Sequence, residues 1–142
     1  GGGPVAVVGF QPPALREAQE ASDGELLLVV MSETPDAVAN ADAIAAVPGV
    51  DVLLIGTSDL SSEMGIPGEI GHPRVEEAYR KVAEACRRHG KVLGMGGVYD
   101  EETAPRYIKL GARMLLGGSD QQFILQAGSA RAKALQAMVP KD

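Results

Sequence analysis

The feature of this 142-residue sequence that most constrains its fold is a unit that occurs four times, a short apolar segment followed by a helical pattern. The apolar segments cover residues 25–31, 51–55, 91–95 and 113–116. Apolar residues that are continuous rather than alternating are typical of strands buried on both faces of a parallel sheet. Because strands that alternate with helices are joined by crossover connections, the pattern predicts an α/β fold with a parallel sheet.

The helical patterns have recognisable ends. Thr34 and Pro35 are residue types preferred at an N-cap and at the first helical position, and His72 with Pro73 opens the next helix in the same way. Gly90 is of the type that ends a helix after its last turn. The helices are expected between residues 34 and 48, from 73 to 89, from about 100 to 110, and from 119 onward.

Two closures of the sheet are compatible with this order of elements. A doubly wound sheet fits within this length, whereas a complete (β/α)8 barrel typically needs about 250 residues. Four βα units are half of such a barrel. We expect one domain over residues 1–142, in which residues 1–24 form a lead-in loop with a weak helix around 13–22 and residues 25–142 form the four units.

Charge and composition narrow the class of partner. The formal net charge is −6 and the longest basic cluster is Arg87-Arg88, which argues against a nucleic-acid or anionic membrane surface and favours small molecules or other protein chains. The single cysteine argues against a disulfide framework and, with no signal peptide pattern, favours a cytoplasmic location. The chain begins with Gly1 rather than methionine, which suggests a processed or partial chain.

Two carboxylates follow neighbouring strands of the predicted sheet. Glu33 follows the first apolar segment by two residues, and Asp59 follows the second segment by four residues. In both α/β architectures the working groups gather at the carboxyl ends of the parallel strands. Two carboxylates without a nearby histidine pair or cysteine suit an oxygen-ligated cation such as Mg²⁺ or Mn²⁺.

A structural role for the same carboxylates is an open alternative. Acidic residues that follow a strand often cap the next helix. For Glu33 this role is less favoured, because Thr34 already occupies the N-cap position before Pro35. For Asp59 it stays open, because Ser58-Asp59-Leu60-Ser61 could equally start a helical turn.

The residues around these carboxylates resemble a known family. The stretch LLLVVMSETPDAVANADAIAAVPGVDVLLIGTSDLSSEMGIPGEIGHPRV is similar to the metal-dependent (class II) pyruvate aldolases of the HpcH/HpaI aldolase family. These enzymes cleave 2-keto-3-deoxy sugar acids and related 4-hydroxy-2-oxo acids. The similarity continues through KVLGMGGVYDEETAPRYIKLGARMLLGGSD and so covers nearly the whole chain from about residue 25. It implies the C-terminal half of a (β/α)8 TIM barrel.

The resemblance also implies roles for residues at the second strand end. It assigns Glu33 and Asp59 as ligands of a divalent metal, Mg²⁺, Mn²⁺ or Co²⁺, that binds pyruvate and stabilises the enolate as a Lewis acid. The pyruvate carboxylate would meet backbone N–H groups of Ser58 and Asp59, in a substrate-binding turn that includes Gly56 and Thr57. Members of the family also associate through their C-terminal helices, which implies a homo-oligomer.

The sequence departs from the family pattern in two respects. Thr57 stands where the turn usually has a proline. The family's catalytic histidine and its enolate-stabilising arginine belong to the first half of the barrel, and neither His72 nor His89 matches the missing base. We therefore identify no catalytic residue in this half and expect the 142-residue chain alone to be inactive as a carbon–carbon lyase.

Two other functions remain open. One is a non-catalytic half-barrel that only associates with other chains. The second is a phosphate-binding barrel half centred on Ser119, although Gly117-Gly118-Ser119 is favoured as a tight turn. Gly96 and Gly97 are expected to allow close approach of a substrate or of backbone, and Cys86 is expected in the core.

Overall fold

The sheet of this protein is parallel and its strands follow chain order. The structure is a computed structural model, and it describes residues 24–140. Each strand pairs in parallel with the next along the chain, in the order β1-β2-β3-β4. The strands are β1 Val29–Ser32, β2 Val52–Gly56, β3 Val92–Gly96 and β4 Ala112–Leu115.

Helices follow every strand, as the alternating pattern predicts. They are α1 Pro35–Ala39, α2 Ala41–Ala45, α3 Thr57–Glu63, α4 Pro73–His89, α5 Ala104–Leu110 and α6 Asp120–Gln136. Three of the predicted helix ends are confirmed. The Thr34 side chain accepts a hydrogen bond from the Ala37 amide, the His72 side chain accepts one from the Arg74 amide, and Gly90 ends α4 at a φ of 65°.

The strand order decides between the two closures. A doubly wound sheet reverses its strand order at a switch point, whereas consecutive strands of a barrel lie side by side in sequence. The observed order is the sequential one, so the four βα units form a partial barrel. The predicted half-barrel architecture is confirmed.

The main core lies between the sheet and its helices. Leu53, Ile55 and Leu93 belong to this cluster, together with Val82 and Tyr79 of α4. Residues that alternate with them point to the other face of the sheet, which corresponds to the barrel interior. On that face Leu54 is buried, but Met31 is 52% exposed.

The first strand is shorter than its apolar segment suggests. Pairing with β2 begins at Val29, and the three leucines before it, Leu26, Leu27 and Leu28, are exposed. The Leu28 amide instead donates to the Asp51 carboxylate at 2.8 Å. The apolar segment therefore predicts the presence of β1 but not its first residue, because that residue depends on where β2 begins to pair with it.

Three helices differ from the expected pattern. The helix expected from about residue 100 begins at Ala104. The helix expected between residues 34 and 48 is divided at Asn40, whose side chain donates to the Asp36 carbonyl at 2.9 Å. The last helix has Ser119 as its N-cap and so starts where it was expected, but none of its residues is buried against the rest of the described chain. The weak helix predicted around residues 13–22 lies outside the described residues. Among residues 24–140, no helix combines the length and apolar character that crossing a membrane requires.

Candidate functional site

Helix α3 begins in the turn after β2, and its N-terminus has no side-chain cap. Gly56 ends the strand and is the N-cap of α3, and no side chain of the described residues accepts a hydrogen bond from the first turn of that helix. Asp59 lies in this first turn and is exposed. Asp59 therefore does not have the capping role that the sequence left open. The capping role of Glu33 is also excluded, because Thr34 caps α1.

Glu33 lies directly against the end of the neighbouring strand. A β-carbon built on Gly56 would be 2.7 Å from Glu33 Oε2 and 3.2 Å from Glu33 Cβ. The absence of a side chain at Gly56 therefore makes the space in which the Glu33 carboxylate sits. This contact brings the carboxyl end of β1 to the turn that also carries Asp59.

A cavity of about 260 Å³ opens beside this turn. Within residues 24–140, the two ionisable residues that line it are Asp59 and Tyr99, and no histidine, lysine or arginine does so. The cavity can therefore offer a carboxylate and a phenol to a ligand, but no basic side chain from residues 24–140. Its lining residues are Met31, Leu54, Gly56, Thr57, Ser58, Asp59, Gly96, Gly97, Tyr99 and Leu116.

The end of β3 approaches the turn closely at a glycine. Gly97 has a φ of +78°, and a β-carbon on it would be 2.8 Å from Ser58 Oγ and 3.2 Å from the Ser58 amide nitrogen. The expectation that Gly96-Gly97 allows close approach is confirmed, and the group that approaches is the turn itself. The substrate-binding residues predicted from the sequence are thus next to one another around the cavity.

Behind the turn, the Thr57 side chain points into the core. Its hydroxyl and that of Tyr79 share a hydrogen bond of 2.7 Å, and both residues are fully buried. Burial raises the pKa of Tyr79 far above the usual tyrosine value, so the phenol stays protonated. The Tyr79 ring stacks on Tyr107, with 3.8 Å between ring centroids and an interplanar angle of 7°.

The sequence did not identify this hydrogen bond in advance. A signal existed, because a buried tyrosine hydroxyl usually finds a hydrogen-bond partner. The sequence does not show which partner it finds, since Thr57 is 22 residues away. Tyr107 was not singled out at all, although its hydroxyl donates to the Ile70 carbonyl and burial raises its pKa to about 12.

Both histidines have structural positions. His72 caps α4, and His89 Nε2 lies 3.0 Å from Asp42 Oδ1 at the other end of that helix. Neither histidine lines the cavity at the turn. Within residues 24–140 no three His, Cys, Asp or Glu side chains are grouped as they would be in an all-protein metal site. Cys86 is buried as expected, and burial raises the pKa of its thiol.

Ser119 has the role of a helix cap. Its Oγ accepts a hydrogen bond from the Gln122 amide at 3.3 Å. A larger cavity of about 540 Å³ lies beside α6 and is lined by Tyr99, Gly117, Gly118 and side chains of that helix. Among residues 24–140, none that lines this cavity is a lysine, arginine or histidine, so these residues offer a phosphate no charged partner.

Comparison with solved structures shows the same fold in longer chains. The crystal structure of an HpcH/HpaI aldolase from Desulfitobacterium hafniense matches with a TM-score of 0.78 and 34% sequence identity, over 99% of this chain and 54% of that chain. Its match over nearly all of this chain agrees with the partial barrel described above.

Curated relatives are aldolases of 2-oxo acids. A 4-hydroxy-4-methyl-2-oxoglutarate aldolase of Hapsidospora irregularis is 39% identical over 125 residues, which are 86% of this chain and 46% of the relative. A hydroxypyruvate/pyruvate aldolase of Pseudomonas aeruginosa is 39% identical over 106 residues, which are 75% of this chain and 39% of the relative. The chain thus spans about half the length of these relatives or less.

A family model covers most of the sequence. The model described as HpcH/HpaI aldolase/citrate lyase matches residues 6–127. This match, the relatives and the partial barrel agree with one another, and the chain belongs to the HpcH/HpaI aldolase/citrate lyase family.

Proposed function

We propose that this chain is the metal-binding, C-terminal half of a divalent-metal-dependent pyruvate aldolase. The reaction is the retro-aldol cleavage of a 4-hydroxy-2-oxo acid to pyruvate and an aldehyde. The observation that carries the proposal is the contact of the Glu33 carboxylate with Gly56, at the turn where Asp59 lines the cavity. The names of the aldolase relatives support the reaction class.

The donor groups at this turn fit a hard divalent cation. Glu33 and Asp59 offer carboxylate oxygens, and neither side chain is used as a helix cap. Mg²⁺ is commonly bound through one or two carboxylates and keeps its other positions for water and substrate. When bound, such a cation supplies Lewis acidity that stabilises negative charge on the keto oxygen.

The turn itself supplies the groups that bind the keto acid. The first amides of a helix have no intrahelical partner, and the start of α3 has no side-chain cap. The N–H groups of Ser58 and Asp59 therefore bind the pyruvate carboxylate. Gly97, directly after β3, has no side chain that would collide with Ser58, so the turn can keep this conformation.

The base that takes the hydroxyl proton comes from outside residues 24–140. The cavity lining contains no histidine, lysine or arginine from these residues, and a positioned acid or base typically contributes about 10²–10⁴-fold to the rate. We therefore propose that the first half of the barrel completes the site. The 142-residue chain alone then cleaves substrate at trace rates at most.

Metal and pyruvate binding test the proposal directly. Mn²⁺ binding followed by electron paramagnetic resonance, and pyruvate binding in the presence of Mn²⁺, are compared for the chain and for Glu33→Gln and Asp59→Asn. Each substitution should weaken the binding of both Mn²⁺ and pyruvate by about tenfold or more, because one carboxylate that binds the metal is lost. Glu63→Gln is the matched control, because it changes another exposed carboxylate of α3. If Asp59→Asn weakens pyruvate but not Mn²⁺, the metal assignment is wrong.

Turnover tests the role of the missing half. Pyruvate release from a 4-hydroxy-2-oxo acid with Mn²⁺ is measured for the chain alone and after addition of a complementing N-terminal half. We expect trace activity alone and restored activity in the mixture. Full activity of the chain alone would contradict the proposal and would direct the search for a base to Tyr99, the other ionisable residue of the cavity.

We also propose that the chain forms a homo-oligomer through α6. None of the residues of this 17-residue helix is buried against the described chain, and large apolar side chains on it are exposed. Exposed apolar surface of this extent is typical of a protein interface. The exposed apolar residues at the C-terminal end of the described chain are Phe123, Ile124, Leu125, Leu135, Met138 and Val139.

A further inference from the structure

We infer that the buried hydrogen bond between Thr57 and Tyr79 is a positioning device that holds the metal- and pyruvate-binding turn in place. This inference rests on the proposed function, since it concerns the same turn. Thr57 directly precedes Ser58 and Asp59, whose amides and carboxylate are the proposed ligand groups. The Thr57 hydroxyl bonds that of Tyr79 in the core. The two residues therefore act on the ligand groups through the turn, as positioning residues rather than catalytic ones.

The geometry at Thr57 ties the turn to the core. Thr57 is the first residue of α3 and is fully buried, and its hydroxyl lies 2.7 Å from that of Tyr79 in the middle of α4. Water cannot replace either partner at a fully buried site, and an unpaired buried hydroxyl is costly. The hydrogen bond therefore fixes where α3 begins relative to α4.

Tyr79 is itself held by its surroundings, so it can act as an anchor. Its ring stacks on the Tyr107 ring of α5. Next to Tyr107, Arg106 forms an ion pair with Glu76 of α4. These contacts join α4 and α5 into one support behind the turn.

The turn needs such a support because its own backbone is not stiffened. Position 57 has no proline ring. Gly56, which precedes Thr57, and Gly97, which lies against Ser58, have no side chains that could pack around the turn. The Thr57 side chain is the group of the turn that reaches into the core and bonds there. The positions of the ligand groups thus depend on the Thr57–Tyr79 hydrogen bond, which lies in the core.

Five variants separate positioning from mere structural support. Thr57→Val and Tyr79→Phe each remove one hydroxyl and leave the other unpaired, whereas the double variant removes both. Loss of one buried partner destabilises a protein, but removal of both can be nearly neutral. Tyr107→Phe is the control, because it removes a hydroxyl that bonds the Ile70 carbonyl and keeps the stacked ring. Thr57→Ser keeps the hydroxyl and tests rescue.

The measurements are thermal unfolding together with Mn²⁺ and pyruvate binding. We expect both single variants to lose stability and the double variant to regain most of it. The affinities for Mn²⁺ and pyruvate should not recover in this way. In both single variants and in the double variant they should be about fivefold weaker than in the unchanged chain, as expected for loss of about one hydrogen bond. Tyr107→Phe and Thr57→Ser should bind both ligands within about twofold of the unchanged chain. A double variant that binds both ligands as the unchanged chain does would overturn the inference.

Amide hydrogen exchange keeps this test separate from that of the proposed function. If the unchanged chain binds neither Mn²⁺ nor pyruvate, the proposed function fails. In that case exchange at Ser58, Asp59 and Leu60 decides whether Thr57 and Tyr79 hold the turn. Exchange at least about fivefold faster in the double variant, with β3 unchanged, would support the positioning role. Unchanged exchange at these amides would overturn it.

Discussion

The Glu33 carboxylate lies against the α-carbon of Gly56, so that a β-carbon at Gly56 would stand 2.7 Å from Glu33 Oε2. This contact crosses from the end of β1 to the end of β2, which are neighbours in the sheet. It relates one proposed metal ligand to the turn that carries the other. The orientation of Glu33 therefore depends on the absence of a side chain 23 residues further along the chain.

Gly56→Ala should weaken metal binding without unfolding the protein. The added methyl group displaces the Glu33 carboxylate, and loss of such orienting contacts typically lowers metal affinity by about 10–100-fold. The backbone at Gly56 has a φ of −81°, which alanine can adopt, so the melting temperature should change little. Mn²⁺ titration and thermal unfolding measure the two effects. Gly117→Ala is the control, because nothing lies within 4 Å of its β-carbon position, and equal Mn²⁺ affinity in both variants would contradict the prediction.

Gly94→Ala should destabilise the sheet on its inner face. Gly94 pairs with Leu54, and a β-carbon there would be 2.7 Å from Leu54 Cδ1 and 3.0 Å from Leu54 Cα. Because one of these atoms is backbone, the strands themselves must shift. We expect the free energy of unfolding to fall by about 1–3 kcal/mol in urea titration. A loss no larger than that of Gly117→Ala would show that β2 and β3 separate without strain.

Low pH should remove the stabilising effect of Asp42. Hydrogen bonds from His89 and Arg88 lower the pKa of the Asp42 carboxyl, and they join α2 to the last turn of α4. Since the folded-state pKa is below the unfolded value of about 3.9, the contribution is present above that pH and is lost as pH falls through the folded-state pKa.

The measurement is thermal unfolding of Asp42→Asn against pH. The melting temperature should be lower than that of the unchanged chain by about 2 °C near pH 6, as expected for an exposed ion pair, and the difference should vanish near pH 2. Glu84→Gln is the control, because the Glu84 side chain makes no ion pair with residues 24–140. A difference that persists at the lowest pH would rule out the charge as its cause.

A charge on the exposed face of α6 should disrupt self-association. Ile124 is 73% exposed, and burial of such a side chain in an interface contributes about 1.5–3 kcal/mol. Ile124→Glu should therefore weaken association by about tenfold or more, measured by light scattering over a concentration series. Gln136→Glu adds the same charge near the end of the same helix and should have a smaller effect. A well-folded monomer at micromolar concentration for the unchanged chain would contradict the proposal.

The sequence by itself determined the order of the elements and most of the helix ends. Thr34 and His72 cap the helices that they were predicted to open, the last helix starts at Ser119 as predicted, and Gly90 ends α4. These features are local, because a capping side chain bonds an amide only two or three residues away. Apolar segments likewise predict the four strands, since a strand buried on both faces must be apolar along its whole length.

The tertiary structure alone decided which of these elements meet and where. It set the sequential strand order, placed Glu33 against Gly56, and paired Thr57 with Tyr79. It also left the residues of α6 without burial against the rest of residues 24–140. Each of these results depends on distances between atoms far apart in the chain. A local sequence pattern indicates whether a residue prefers burial or a hydrogen bond. Which partner it contacts depends on the packing of the whole sheet and its helices.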